Sequence, residues 1–404
     1  MATPQRWQTT LWIMFAAQLI SALGFAIIFP FLPLYVAELG TQTGMSIEFW
    51  AGVVFSGQAL TMAISSPIWG ALSDRFGHKL MLERAMFSGA ILLLLMAFVR
   101  SAEELALVRA VQGMFTGTLS AANALVATEA PRDRLGYAMG TLQMGLWTGI
   151  ALGPLVGGVL ADAFGYRLPF ILTASLLLLA GLLVTFGVRR DKRPTGGAER
   201  PRQSMLSSWR TIMTTPSMSL TYSLRFLGSL ANTMLIPFAP LFITSLMHSS
   251  DHIATFTGLI VGSASAASLT TAIFFGRLGD QKGHRRVLIG CTTVGALLYL
   301  VHPLVNSPWQ LLLLQLLAGA AWGGVTPSIS ALLSHYTGGG SEGAIYGIDN
   351  AIMSGARSLA PIVGAAVVLL LDLRGIFLAI ALLYGIIALL SLLCLPIQQP
   401  SRSG

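Results

Sequence analysis

Apolar residues run along this chain in long blocks separated by short polar or glycine-bearing breaks. Six blocks lie near 8–37, 48–72, 79–99, 103–127, 136–163 and 168–188, and six more near 214–246, 252–276, 286–303, 308–333, 342–371 and 375–396. Each is long enough to cross about 30 Å of hydrocarbon as an α-helix. The pattern predicts an all-α membrane protein with twelve transmembrane helices. The first block is too long for a signal-peptide core and is followed by Pro30 and Pro33 instead of a cleavage site, so it reads as a retained span.

The second six blocks repeat the first. Gly70 to Lys79 (GALSDRFGHK) returns as Gly276 to Arg285 (GRLGDQKGHR), and Pro30 to Tyr35 (PFLPLY) as Pro237 to Phe242 (PFAPLF). Gly113 matches Gly319, Pro154 matches Pro361, and the Arg167 to Phe170 spacing returns as Arg374 to Phe377, all at an offset of 206 to 207 residues. Such duplication is the mark of a transporter built from two equivalent halves, with its substrate site between the repeats. The expected division is a six-helix bundle over 1–188, a cytoplasmic linker over 189–213 and a second bundle over 214–404. The linker opens on Arg189-Arg190-Asp191-Lys192-Arg193-Pro194 and carries Gly196, Gly197 and Pro201.

Composition agrees with a lipid environment. The 404 residues are 54% hydrophobic and 10% charged, with a mean hydropathy of +0.73, against about 25% charge in an ordinary soluble domain. The net charge of +8 does not call for a nucleic-acid partner. With both termini cytoplasmic, 18 of the 24 Lys and Arg fall in or beside inner segments, and only Arg100, Arg167 and Arg374 in outer ones. That is the positive-inside bias of a multi-pass plasma-membrane protein, the inner membrane if the source is bacterial.

No lysine directly follows a glycine in the manner of a phosphate-cradling loop, and no HExxH, CxxC or GxSxG run is present. The chain reads as a non-enzyme without a cofactor. His248, Asp251 and His252 are read as an outer loop and not as a metal site. Cys291 and Cys394, the only cysteines, have no pairing pattern.

These motifs resemble the major facilitator superfamily, specifically its twelve-span drug/proton antiporters. The segments Pro30 to Val36 and Asn123 to Thr128 are most similar to the MdtG-like multidrug-resistance branch. The resemblance implies that the Gly70 to Lys79 loop gates the outward-facing state, with Asp74 as latch, Arg75, Lys79 and Glu129 assisting, and Gly77 allowing the turn. His78 departs from the family's usual arginine or lysine. The run Gly149 to Gly158 (GIALGPLVGG) looks like the motif associated with exporters. Gly149, Gly153 and Gly157 form a small-residue face, Gly158 follows, and Pro154 removes a backbone bond, which is read either as a hinge or as close helix packing.

In the family, spans one, four, seven and ten line the central cavity. Arg109, Gln112, Thr116, Ser120 and Asn123 draw one polar stripe along span four. Gln18 and Phe25 mark span one, Arg225 and Asn232 span seven, and Gln315 and Trp322 span ten. Gln18 and Arg225 are repeat equivalents, as are Arg109 and Gln315, so each half offers one arginine across from the other half's amide.

Asp349 is the one carboxylate well inside a second-half helix, and Arg357 follows two turns later. A buried acid beside a cation can exchange a proton for substrate, or it can form a static salt bridge with Arg357 or Arg225. By resemblance, Arg109 influences proton coupling.

The chain is therefore expected to be a monomeric secondary exporter in the lipid bilayer, driving amphipathic or lipophilic small molecules outward against protons by alternating access. A narrow exporter of an endogenous metabolite such as a siderophore or sugar carries the same motifs, and a non-transporting ligand sensor belongs to a different class.

Overall fold

The computed structural model describes residues 4–115, 118–131, 134–188, 216–247, 252–336 and 342–396, with a few helical side chains among them left out. The linker expected over 189–213 lies outside this set. The described residues form helices α1 (Pro4–Ile27), α2 (Leu32–Leu39), α3 (Ile47–Phe76), α4 (His78–Met96), α5 (Ala102–Phe115), α6 (Thr118–Glu129), α7 (Leu135–Phe164) and α8 (Arg167–Gly187). They continue as α9 (Pro216–Met234), α10 (Ala239–Leu246), α11 (Ile253–Lys282), α12 (His284–Val301), α13 (Pro308–Tyr336) and α14 (Glu342–Cys394).

Among the described residues eight helices are long and apolar enough to cross a membrane, or nine if α9 and α10 count as one bent span. The other predicted spans also have helical counterparts. Helix α4 carries three charged residues, Lys79, Glu83 and Arg84, among its 19. Helices α5 and α6 flank the undescribed positions 116 and 117. The apolar run Ala351–Cys394 counts once, yet α14 breaks at Asp372 into two lengths.

The proline pairs explain the bent spans. Proline has no N–H to donate and clashes with the preceding turn. Pro30 and Pro33 accordingly end α1 at Ile27 and restart the chain as α2, and Pro237 and Pro240 separate α9 from α10 with a bend of 41°.

The glycine turns also recur. Gly77 and Gly283, at φ 100° and 92°, are the single residues joining α3 to α4 and α11 to α12. Only glycine takes that region without steric cost. Beyond each turn a basic residue reaches back to the last helix of its half. Lys79 Nζ donates to Thr185 O at 2.8 Å and also to Val188 O, while Arg285 donates to Ser391 O at 3.1 Å and Leu392 O at 2.6 Å. Carbonyls at a helix C-terminus lack intrahelical donors, so a cation there satisfies them and complements the dipole.

Gly165, at φ 79°, separates α7 from α8. Its counterpart at the repeat offset is Asp372, held at φ 62° and ψ 179°. That region is essentially reserved for glycine and costs another residue about 1–3 kcal/mol. Asp372→Gly is therefore expected to raise the thermal midpoint of the purified protein by a few degrees, read by melting in detergent.

Two compact units divide the chain. One comprises Met1–Gly197 with Ser249–Gly262, the other Ala198–His248 with Ser263–Gly404. The first turns of α11 thus pack with the first unit. In that unit a buried cluster joins Trp7, Leu11 and Met14 of α1 to Leu82, Leu125, Leu142 and Val184 of α4, α6, α7 and α8. Tyr35 and Phe170 pack together at 5.3 Å between ring centres, and the repeat equivalents Phe242 and Phe377 do so in the second unit at 4.9 Å.

Candidate functional site

In the second unit the chain brings an arginine and a carboxylate from distant helices into a two-point contact. Arg225 Nε donates to Asp349 Oδ1 and Arg225 Nη2 to Asp349 Oδ2, both at 3.1 Å. The side chains are 10% and 13% exposed. Arg225 Nη1 also reaches Thr326 O at 3.5 Å, drawing α13 into the contact between α9 and α14. Parallel N–H···O bonds match the planar guanidinium fork to both carboxylate oxygens and fix their relative geometry. Arg357 lies within electrostatic range of both partners. Of the two partners that the sequence left open for Asp349, the structure places Arg225 in direct contact.

The first unit holds a different arrangement. Arg109, 1% exposed, donates from Nη1 to Gln112 Oε1 at 3.0 Å, and Gln58 Nε2 donates to the same oxygen at 3.2 Å. The guanidinium lies 5.9 Å from the centre of the Phe55 ring. Arg109 Nε has no hydrogen-bond partner, and among the described residues no carboxylate lies within salt-bridge distance of Arg109. A buried cation held only by amides and a ring face is costly to keep charged.

The other expected contacts are spread over both units. Gln18 on α1 and Gln315 on α13 are 3% and 7% exposed, with Gln18 Oε1 and Gln315 Nε2 unpartnered. Asn123 is half-buried with its Oδ1 unpartnered, Phe25 and Asn232 are exposed, and Trp322 packs edge-on against Tyr384 at 6.2 Å. Thr116 lies outside the described residues, as do the side chain of Ser120 and positions 248 and 251.

In the glycine loop, Gly70 and Asp74 fall in α3, but the Asp74 carboxylate lies outside the description. Arg75 is exposed and sits over the Phe76 ring at 5.4 Å, Lys79 pairs with Glu83 at 3.5 Å besides its carbonyl contacts, and Glu129 ends α6 half-buried. The Lys79 contacts are made inside its own unit.

The small residues of α7 divide between two partners. A Cβ at Gly149 would stand 2.6 Å from Leu23 N and one at Gly153 2.5 Å from Ala26 Cβ, while one at Gly157 would overlap Ile27 O. These three glycines therefore pack α7 on α1. Gly158 instead meets the Ala254 backbone, and Gly258 meets Pro154 O. Beside them Asp162 accepts from Ala254 N at 3.2 Å and Thr255 N at 2.6 Å. Its carboxylate caps the N-terminus of α11, where free N–H groups and the helix dipole favour negative charge. Replacing Asp162 with Asn keeps one acceptor and removes the charge; a loss of about 1–2 kcal/mol is expected in denaturant unfolding followed through the first unit.

Sequence reading missed Gln58 and underrated Asp162. Gln58 interrupts an apolar span and begins the polar series Gln58, Thr61, Ser65, which was the available signal. Thr61 and Ser65 bond to Ala110 O and Gly113 O, at 2.7 and 3.3 Å. No sequence signal pairs Asp162 with residues 92 and 93 positions away.

The model of the Major Facilitator Superfamily matches residues 14–254 and 221–404, which together span nearly the whole chain. The chain belongs to the major facilitator superfamily. Among curated members, the multidrug resistance protein MdtG of Enterobacter lignolyticus is 35% identical over 382 residues, covering 94% of this chain and 90% of that relative. MdtG of Dickeya zeae is 34% identical, covering 94% and 92%. The superfamily fold is matched by the nucleoside transporter NupG, with a TM-score of 0.81 at 14% identity over 95% of this chain and 98% of that one. A bacterial homologue of the human lysosomal transporter Spinster, in an inward-facing and occupied conformation, also gives 0.81 at 14% identity, covering 97% of each.

Proposed function

We propose that this superfamily member is a proton-coupled antiporter that exports amphipathic or lipophilic small molecules by alternating access, as the multidrug-resistance name of its relatives suggests. The Arg225–Asp349 contact carries the reading. A carboxylate on one helix held by a guanidinium on another is a two-state element, because protonation removes the charge that binds the helices and frees the arginine. Both side chains are only 10–13% exposed, so the pair sits largely out of water. Arg109 supplies a second buried cation whose charge an anionic or polar ligand group can balance. In this reading both termini are cytoplasmic, the protein works as a monomer in the plasma membrane, and the glycine loop and the α7 glycines shape the transition between states.

The test is transport by the purified protein in liposomes with an imposed pH gradient, followed with cationic, neutral and anionic fluorescent amphiphiles. Accumulation against the amphiphile gradient that collapses on adding a proton ionophore supports antiport. Binding without gradient-dependent movement, in protein shown to be folded, sinks it.

A further inference from the structure

We infer that the second half carries a built site for an anionic phospholipid, in a groove formed by α11, α12 and α13. The groove encloses about 540 Å³, within the range of small-molecule sites. Small residues, Gly290, Ala320 and Ala321, line it, and the rest of its lining is apolar apart from Thr271, whose hydroxyl donates to Ala320 O, and the cations Lys282 and Arg286 on either side of the Gly283 turn. Along α12 it runs from Arg286 to Leu298, about 18 Å at 1.5 Å per residue. One leaflet of hydrocarbon is about 15 Å deep. An acyl chain thus fits the length while the phosphate meets the cations.

The two cations are not consumed by the fold. Arg285, between them, is turned to the carbonyls of Ser391 and Leu392. Lys282 and Arg286 are exposed, and among the described residues neither has a carboxylate within salt-bridge distance. The duplication supplies an internal control. Lys79 occupies the place of Arg285 and makes the same kind of carbonyl contacts, but Phe76 and Leu80 stand where the second half has Lys282 and Arg286. Those first-half residues are 55% and 48% exposed. The repeated scaffold therefore needs only the one basic residue, and the two added cations sit where a headgroup phosphate would lie. Cations placed at the polar end of a gap between membrane helices recognise anionic headgroups by charge, and the gap holds the chain. The site stands whatever the protein transports.

The full-length protein is reconstituted in phosphatidylcholine vesicles containing either phosphatidylglycerol or phosphatidylcholine with a photoactivatable group in the acyl chain, at equal mole fraction. After photolysis the labelled peptides are mapped by mass spectrometry. Labelling of residues 287–298 several-fold above the phosphatidylcholine level is expected with phosphatidylglycerol, and the excess is expected to vanish in K282Q/R286Q. Gly290→Leu keeps both charges and fills the groove from a position where a Cβ meets nothing within 4 Å; it is expected to lower labelling by both lipids. Equal labelling by the two lipids, an excess that survives K282Q/R286Q, or cross-linking of this stretch to a second copy of the chain would overturn the proposal.

Discussion

Asp349→Asn is expected to abolish proton-driven accumulation in liposomes while leaving substrate exchange in the absence of a pH gradient. The asparagine keeps one oxygen for Arg225, whose Nε and Nη2 now each hold a carboxylate oxygen at 3.1 Å, but it can neither take nor release a proton. Leaving a mostly buried guanidinium without its counter-charge costs about 3–5 kcal/mol, less what the remaining hydrogen bond recovers. A fall in thermal midpoint should therefore accompany the loss of coupling. Stability and coupling separate in the double variant R225Q/D349N. Removing both charges relieves the uncompensated arginine, so the midpoint should return toward the starting value while proton-driven transport stays absent. Wild-type accumulation in Asp349→Asn would remove the proton role from this carboxylate. Wild-type accumulation in the double variant would reduce the pair to a static strut.

Gly157→Val is expected to prevent accumulation of a folded, monodisperse protein. Overpacking usually costs about 1–3 kcal/mol because side chains can move aside. At Gly157 the obstacle is the Ile27 carbonyl at the end of α1, so relief requires the backbones of α1 and α7 to separate. Gly153 and Gly149 bring the same two helices together one and two turns earlier, and separation at 157 would loosen all three contacts. Small residues that let helices approach closely are the main packing device where lipid competes equally for apolar side chains. The control lies on the same helix. A Cβ at Gly140 meets nothing within 4 Å, so Gly140→Ala should be tolerated. A Gly157→Val protein that elutes as a single species and melts within a few degrees of the parent would show that α1 and α7 do not approach this closely.

Much of the fold was legible because its causes are local. The glycines at 77 and 283 turn the chain at the predicted places, whereas the proline pairs at 30/33 and 237/240 break blocks that were read as single spans. Asp372 was not legible as a turn residue: the repeat offset aligns it with Gly165, but an aspartate does not announce the positive φ that the structure holds there. The candidate site was half legible. Arg225 and Asp349 each stood out as charges in apolar spans, but their union depends on α9 meeting α14, and the sequence left Arg357 equally open as the partner.

The α7 glycines show the same limit. Their spacing announced one close-packed face, read as a hinge between halves or as plain packing, yet Gly149, Gly153 and Gly157 turn to α1 and Gly158 to the start of α11. Lys79, expected among the gating residues, donates to the carbonyls of Thr185 and Val188, contacts that the sequence did not announce.

The sequence by itself determined the solvent, the helical segments, the twofold repeat and the superfamily. Hydrophobic run length, missing proline donors and glycine turns act on residues adjacent in the chain and need no partner. The tertiary structure decided which charges neutralise one another, which carbonyls the basic residues cap, where Asp162 finds its helix end, and which glycines touch which helix. Those outcomes depend on distances between segments 50 to more than 120 positions apart, as with Gln58 and Gln112 or Arg225 and Asp349. A side chain's charge is written in its own codon, but the group that answers it is chosen by packing.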